Sequence, residues 1–330
     1  MKRPLLAGAA GLYRLGLWGV ESLYRSKLLK THTLDASVVS VGNLTWGGTG
    51  KTPLVMQLAK GLQKKGRSVA VLTRGYGADE AQLLTERLSP IPVLVGPDRV
   101  ALGRKAVREF GADLLVLDDG YQQWRLKKDL EILTVDATAP FGNGHLIPRG
   151  TLREPVTAAA RAHLIVATRA DLNPRGLEEV ARRLHGINPV AAIFFAGYRP
   201  LSLVRWPSGE VLPLKHLKGK EICALAGIAH PEQFEETVAS LGVRVALAIR
   251  VADHHPYTVS EMIRILTRCQ RHGIRHVVTT AKDAVRIPKS LIDVVGPALK
   301  GIELLVLEVT LEFNPDESEF LHRVDSLLAG

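Results

Sequence analysis

The sequence predicts an α/β protein whose main part is a doubly wound, mostly parallel sheet, with a second, smaller α/β domain after it. Two observations carry that reading. Short β-branched runs alternate with stretches of helical periodicity, and the first of these runs empties into a glycine-rich loop that opens a helix. The composition agrees: of 330 residues, 46% are hydrophobic and 23% charged, which suits packed cores and excludes a disordered chain.

The first element lies at the N-terminus. Residues 4–20 carry only Arg14 as a charge, and Lys2, Arg3, Arg25, Lys27 and Lys30 flank the run. No small-x-small cleavage site follows, so a signal peptide is not expected, and the run is short for a membrane span. On a helix of about 100° per residue, Arg3, Arg14, Glu21 and Arg25 fall within about 40° of one another, with Leu5, Leu12 and Leu23 opposite. Residues 1–30 are therefore expected to form an amphipathic helix lying in a membrane interface.

Residues 31–200 form the expected core domain. Strands are predicted over 36–41, 68–72, 114–117, 130–135 and 164–168, with helices over 53–65 and 98–110. The helix over 53–65 has Leu54, Leu58 and Leu62 spaced by four, and Gly66 is its natural stop. After about residue 200 the texture changes. A hairpin-like linker over 201–214, turning at Trp206-Pro207-Ser208-Gly209, leads into a smaller α/β domain over 201–330. There strands are predicted at 222–225, 244–251 and 276–280, and helices at 232–241 and 259–272.

The most specific signal is Gly42-Asn43-Leu44-Thr45-Trp46-Gly47-Gly48-Thr49-Gly50-Lys51-Thr52, placed between a strand and a helix. Glycines let backbone N–H groups curl around phosphate oxygens at a distance that a Cβ forbids. Asn43, Gly47, Gly48, Thr49, Gly50, Lys51 and Thr52 are the expected nucleotide contacts, with Lys51 reaching the β/γ-phosphates and the Thr52 hydroxyl holding Mg²⁺. The usual pattern wants glycine five residues before Gly50, where this chain has Thr45. The second signal is the apolar strand 114–117 ending in Asp118-Asp119-Gly120. It brings carboxylates to the carboxyl edge of a parallel sheet, beside the metal. Together they predict a P-loop NTPase-type domain that binds ATP and Mg²⁺, with Thr52, Asp118 and Asp119 as metal ligands.

Several further motifs are spread along the chain. They run in order: Ser40-Val41-Gly42-Asn43 into the phosphate loop and Pro53, Thr73-Arg74-Gly75-Tyr76-Gly77, Asp118-Asp119-Gly120-Tyr121-Gln122, and Pro148-Arg149-Gly150-Thr151-Leu152-Arg153-Glu154-Pro155. Gly227-Ile228-Ala229 with Pro231 and Phe234, Asp253-His254-His255-Pro256-Tyr257, and Lys282-Asp283-Ala284-Val285 follow. In this order they resemble the motifs of the tetraacyldisaccharide 4'-kinases of lipid A biosynthesis. The resemblance implies ATP-dependent phosphorylation of the 4'-hydroxyl of an acylated disaccharide 1-phosphate lipid. It also implies a monomer held peripherally or monotopically at the cytoplasmic face of the bacterial inner membrane.

The same resemblance implies roles. Asp79 is the expected base for the sugar hydroxyl, and His254 or His255 its orienting partner. Lys51 and Arg74 are expected to face the migrating charge. Glu80, Gln122, Arg153 and Glu154 are the candidates for substrate binding, although Arg153 and Glu154 could equally form an ion pair that shapes their loop. The sequence departs from the family pattern at three places. The segment Gly77-Ala78-Asp79-Glu80-Ala81 follows the Arg-Gly-Tyr-Gly turn at once, Gln123 replaces a common histidine, and Ala281 replaces a glutamate.

The net charge of +10 suits anionic partners. With aromatics at 5% and no block of five like charges, a nucleic-acid role is not expected. Cys223 and Cys269 have no metal-like spacing and suit a reducing compartment. The competing class is a P-loop switch ATPase or GTPase, whose phosphate loops also displace their glycines. Of a guanine-reading motif there is only a faint echo, at Thr168-Arg169-Ala170-Asp171.

Overall fold

The structure, a computed structural model, describes residues 2–75, 78–291, 301–314 and 316–329, without the side chains of residues 2–5 and 78. The side chains of Arg3 and Leu5, from the expected helix faces, and the whole of Tyr76 and Gly77, from the expected turn, thus lie outside what is described. The chain forms two compact units. Unit 1 comprises Met1–Tyr76, Leu84–Tyr198 and Leu311–Gly330, and unit 2 comprises Gly77–Leu83 and Arg199–Thr310. The boundary near residue 200 read from the sequence is therefore one of several crossings: 77–83 joins unit 2, and the C-terminal strand end and helix return to unit 1.

Unit 1 begins with α1 (Lys2–Arg25) and continues through β1 (Ser37–Gly42), α2 (Lys51–Lys64), β2 (Val69–Thr73), the later part of α3 (Ala78–Leu88), β3 (Val93–Val95) and α4 (Arg99–Phe110). β4 (Leu114–Asp118), β5 (Leu130–Asp136), β6 (Leu164–Thr168), α5 (Leu177–His185) and the first part of β7 (Ala192–Trp206) follow. The strands lie in the order β7-β6-β5-β1-β4-β2-β3, with every pair parallel. Val39 and Val41 of β1 enter one core with Leu54, Leu58 and Leu62 of α2, whereas Val38 enters another with Leu72 and Val100. A strand whose alternate residues reach separate cores is covered on both faces, as a doubly wound sheet requires.

Helix α4 shows why its ends fall where they do. The Asp98 carboxylate accepts from the backbone of Val100 and Ala101 at 3.0 and 3.1 Å, and Gly111 ends the helix in the left-handed region. The last helix, α9 (Glu317–Ala329), packs on α2. A Cβ at Gly61 would come within 2.6 Å of Leu321, and Phe320 stacks on Phe313 at 4.6 Å.

In unit 2 the second half of β7 pairs antiparallel with β8 (Val211–Leu212) around the turn expected at 206–209. β9 (Glu221–Ala226), α6 (Pro231–Ala239), β10 (Arg244–Arg250), α7 (Val259–Arg271), β11 (His276–Thr280), the short α8 (Ala281–Ala284) and β12 (Glu303–Asn314) complete it. The strand order β10-β9-β11-β12 is parallel where its pairs are described. Leu225 and Val277 face a core with Met262 of α7, and Ala224 and Val278 face one with Val238 of α6.

Candidate functional site

The expected site residues fall into two groups, one in each unit. In unit 1 the phosphate loop runs from the end of β1 to the start of α2. Gly50 sits at φ +76°, and a Cβ there would lie 2.7 Å from the Tyr198 hydroxyl and 3.0 Å from Thr168. Gly42 is needed because its backbone meets that of Tyr121, where a Cβ would be 2.7 Å from the amide nitrogen. The loop is braced from neighbouring strands. Thr134 of β5 donates to the Gly42 carbonyl at 3.1 Å and shares a 2.8 Å hydrogen bond with Thr49. Thr168 of β6 donates to the Thr49 carbonyl at 3.1 Å, and the Arg169 guanidinium donates to the Gly48 carbonyl at 2.8 Å while paired with Asp136.

Lys51 and Asp119 face each other across 3.5 Å. Asp119 has φ +53°, and Arg153 grips both of its carboxylate oxygens, at 2.7 and 2.9 Å. Burial alone would raise the Asp119 pKa, but Arg153 and Lys51 outweigh it and hold the carboxyl well below the usual range. The same guanidinium reaches the Asn43 side chain, whose amide donates to the Gly47 carbonyl at 3.3 Å. Asp118 is buried and accepts from the Thr73 hydroxyl at 3.0 Å, and Thr52 is buried in the first turn of α2. Two carboxylates and a hydroxyl are the hard oxygen donors that Mg²⁺ takes, so the residues present fit that ion.

Two expected substrate contacts are engaged elsewhere. Glu154 is 5% exposed and held by Arg161 at 2.7 and 2.8 Å, so the alternative Arg153–Glu154 pair is not what forms. Gln122 bridges the Asn43 carbonyl and Glu154, at 3.0 and 2.7 Å. Both brace the phosphate loop. Arg74 follows β2 and is exposed.

In unit 2, Asp79 lies in the first turn of α3, and its side chain is nearly buried. Its Oδ2 is 2.9 Å from His254 Nδ1 and 3.4 Å from Arg286 Nε. His254 has φ +59°, which turns its ring onto that carboxylate. His255, its neighbour, instead meets both oxygens of Glu261 at 2.8 and 2.9 Å. Glu80 pairs with Lys282. The shortened segment before Asp79 thus still delivers the carboxylate to a histidine 175 residues away.

Beneath this pair lies Asp283, fully buried. It accepts from the Tyr257 hydroxyl at 2.8 Å, the Gly227 amide at 3.0 Å, Arg286 at 3.0 Å and the Thr280 hydroxyl at 2.6 Å. Burial, and then the Asp283 charge, push the Tyr257 phenol up, so it stays protonated and donating. Arg286 also binds the His255 and Gly227 carbonyls, at 3.3 and 2.9 Å, which fixes the loop carrying His254.

Sequence reasoning missed Arg286, Tyr257 as a donor, Thr134, Asp136, Arg161 and the brace role of Arg169. A usable signal existed for one of them: Asp136 closes strand β5, at the same edge as Asp118. The Arg169 echo of a guanine motif is a support for the phosphate loop.

Comparison with known proteins agrees with this arrangement. The chain is 40% identical over 309 residues to the tetraacyldisaccharide 4'-kinase of Anaeromyxobacter dehalogenans, covering 86% of this chain and 81% of that one. It is 37% identical over 305 residues to the enzyme of the same name from Syntrophus aciditrophicus, covering 83% and 82%. Its structure superposes on LpxK from Aquifex aeolicus, crystallised in complex with ATP, with a TM-score of 0.76 and 25% identity, over 99% of this chain and 100% of that one. A family model described as Tetraacyldisaccharide-1-P 4'-kinase matches residues 2–329, and the chain belongs to that family.

Proposed function

We propose that this chain transfers the γ-phosphoryl group of ATP to the 4'-hydroxyl of an acylated disaccharide 1-phosphate lipid, with Asp79 as base. The Asp79–His254 pair carries this reading. A sugar hydroxyl needs a proton acceptor as its oxygen attacks, and a switch ATPase that only hydrolyses nucleotide has no use for such a pair in a second unit. Asp79 takes the hydroxyl proton, and His254 and Arg286 orient its carboxylate.

In unit 1 the loop amides and Lys51 hold the phosphates, while Arg153 keeps Asp119 ionised and aimed. Thr52, Asp118 and Asp119 would hold Mg²⁺, which when bound neutralises charge on the phosphate oxygens. Lys51 leaves Asp119 for the phosphates, where it stabilises charge that grows as the bond to the leaving oxygen breaks.

Helix α1 supports action at a membrane surface. Ala10, Tyr13, Leu17 and Tyr24 turn one side of it inward, whereas Leu12, Leu15 and Trp18 are 72%, 64% and 67% exposed. Among the described residues no helix is long and apolar enough to cross a membrane. An apolar arc beside Arg14 and Arg25 suits an interfacial helix. The test is transfer of radiolabelled γ-phosphate from ATP to a tetraacyl disaccharide 1-phosphate in detergent micelles, with Lys51→Ala as control. A labelled bisphosphorylated lipid is expected; intact ATP binding without labelled lipid would overturn the reading.

A further inference from the structure

At the other edge of the unit 2 sheet from Asp283 lies a group of residues that the transfer reaction does not use. His276 opens β11 and Glu303 opens β12, and the two are register partners on adjacent parallel strands. His216 joins them from the short helix Leu214–Leu217, anchored by the buried Leu217. The three converge through His216 Nε2, His276 Nε2 and Glu303 Oε2. His216 is 2.8 Å and His276 3.5 Å from that oxygen, and all three atoms lie within 4.8 Å of one another. Arg205 holds the other carboxylate oxygen at 2.6 Å and so aims Oε2 at the imidazoles.

A cation already occupies this corner. The Lys220 ammonium sits 3.2 Å from His276 Nε2 and 3.5 Å from His216 Nε2. From these contacts we propose that His216, His276 and Glu303 form a site for a zinc-class divalent metal ion, in which Lys220 serves as the resident cation until the metal displaces it.

The chemistry favours that class. Imidazole nitrogens select zinc and its neighbours over Mg²⁺ or Ca²⁺, and two histidines with one carboxylate leave a fourth position for water. Bonds of about 2.0–2.1 Å in a tetrahedral site put ligand atoms roughly 3.3 Å apart, and the two measured separations from Oε2 bracket that value. Lys220 is only partly buried on a flexible stem and can swing to solvent. A bound ion would staple three separate segments: the 214–217 helix, β11 and β12.

The experiment is a titration of the metal-stripped full-length protein with Co²⁺, followed by Zn²⁺ competition. One equivalent of Co²⁺ with an intense tetrahedral d–d absorption, bleached by Zn²⁺, is expected. His216→Gln and His276→Gln should weaken it by more than the roughly 10- to 100-fold that loss of an outer-shell partner costs. Lys220→Met should tighten it, and Mg²⁺-dependent lipid phosphorylation should be unchanged in all three variants. A wild-type spectrum that is octahedral only, or tetrahedral binding indifferent to both glutamine variants, overturns the proposal. Far-UV circular dichroism on each variant separates loss of a ligand from loss of fold.

Discussion

The two units build their chemistry in opposite ways. Unit 1 builds its proposed phosphate site from consecutive residues, mostly backbone, and braces it with threonines and an arginine from adjacent strand ends. Unit 2 makes an acid–histidine pair from residues 175 positions apart, set on a buried carboxylate that accepts four hydrogen bonds. A backbone cradle tolerates changes to its side chains, Lys51 and Thr52 apart. A side-chain pair does not, because each partner is the other's orientation. Damage to unit 2 should therefore abolish chemistry and spare nucleotide binding, whereas damage to the phosphate loop should touch both.

Asp79→Asn gives the sharpest test. It keeps shape and a hydrogen bond to His254 but cannot take a proton, so kcat should fall about 10²- to 10⁴-fold. ATP affinity measured by calorimetry should be unchanged; equal losses in both would erase the contrast between the units. Next is Asp283→Ala. It leaves Arg286 and the Tyr257 hydroxyl without their shared acceptor, and loss of one member of a buried ion pair costs roughly 3–5 kcal/mol. Amide hydrogen exchange should speed up in β9 and β11 while β1 and β4 stay protected. Lys51→Ala should lower kcat about 10²- to 10³-fold and also weaken ATP binding, the double effect absent from Asp79→Asn.

The smallest effect concerns pH. The Asp119 pKa is depressed on folding, so its contribution to stability is present above the unfolded value of about 3.9 and disappears as pH falls below it. Arg153→Gln removes the main cause. Wild type should exceed the variant by a constant margin above about pH 5, and the two should converge in stronger acid. Because Asp119 is about 35% exposed, solvent screening keeps that margin to about 1 kcal/mol or less. Urea denaturation across pH reads it directly.

The same contrast explains what could be read from the amino acids alone. The phosphate loop, the acidic end of β4 and the alternation of strands and helices are local patterns, and each stands where periodicity placed it. The C-terminal β12 and α9, and their return to unit 1, were not legible: Phe313 and Phe320 show no more than an apolar pattern, and the Gly61 notch that receives Leu321 lies far away in sequence. In the candidate site the residue types were legible, but partner choice was not. His254 and His255 are identical in type and adjacent, and only a positive φ at the first sends them to different carboxylates. Likewise Glu154 follows Arg153 in the chain yet binds Arg161, because the backbone between them points the two side chains apart.

Within unit 1, one hydrogen bond ties the helix to the nucleotide loop. Tyr13 of α1 donates to the carbonyl of Arg153 at 2.8 Å, and the Arg153 side chain fixes Asp119 and Asn43. Were a bilayer to grip α1 as proposed, it would also grip, through one phenol and one peptide, the guanidinium that positions the acidic strand end. Such a linkage is reciprocal in free energy. A change in ATP affinity on adding vesicles and a change in vesicle partition on adding ATP would be the same quantity seen from its two ends.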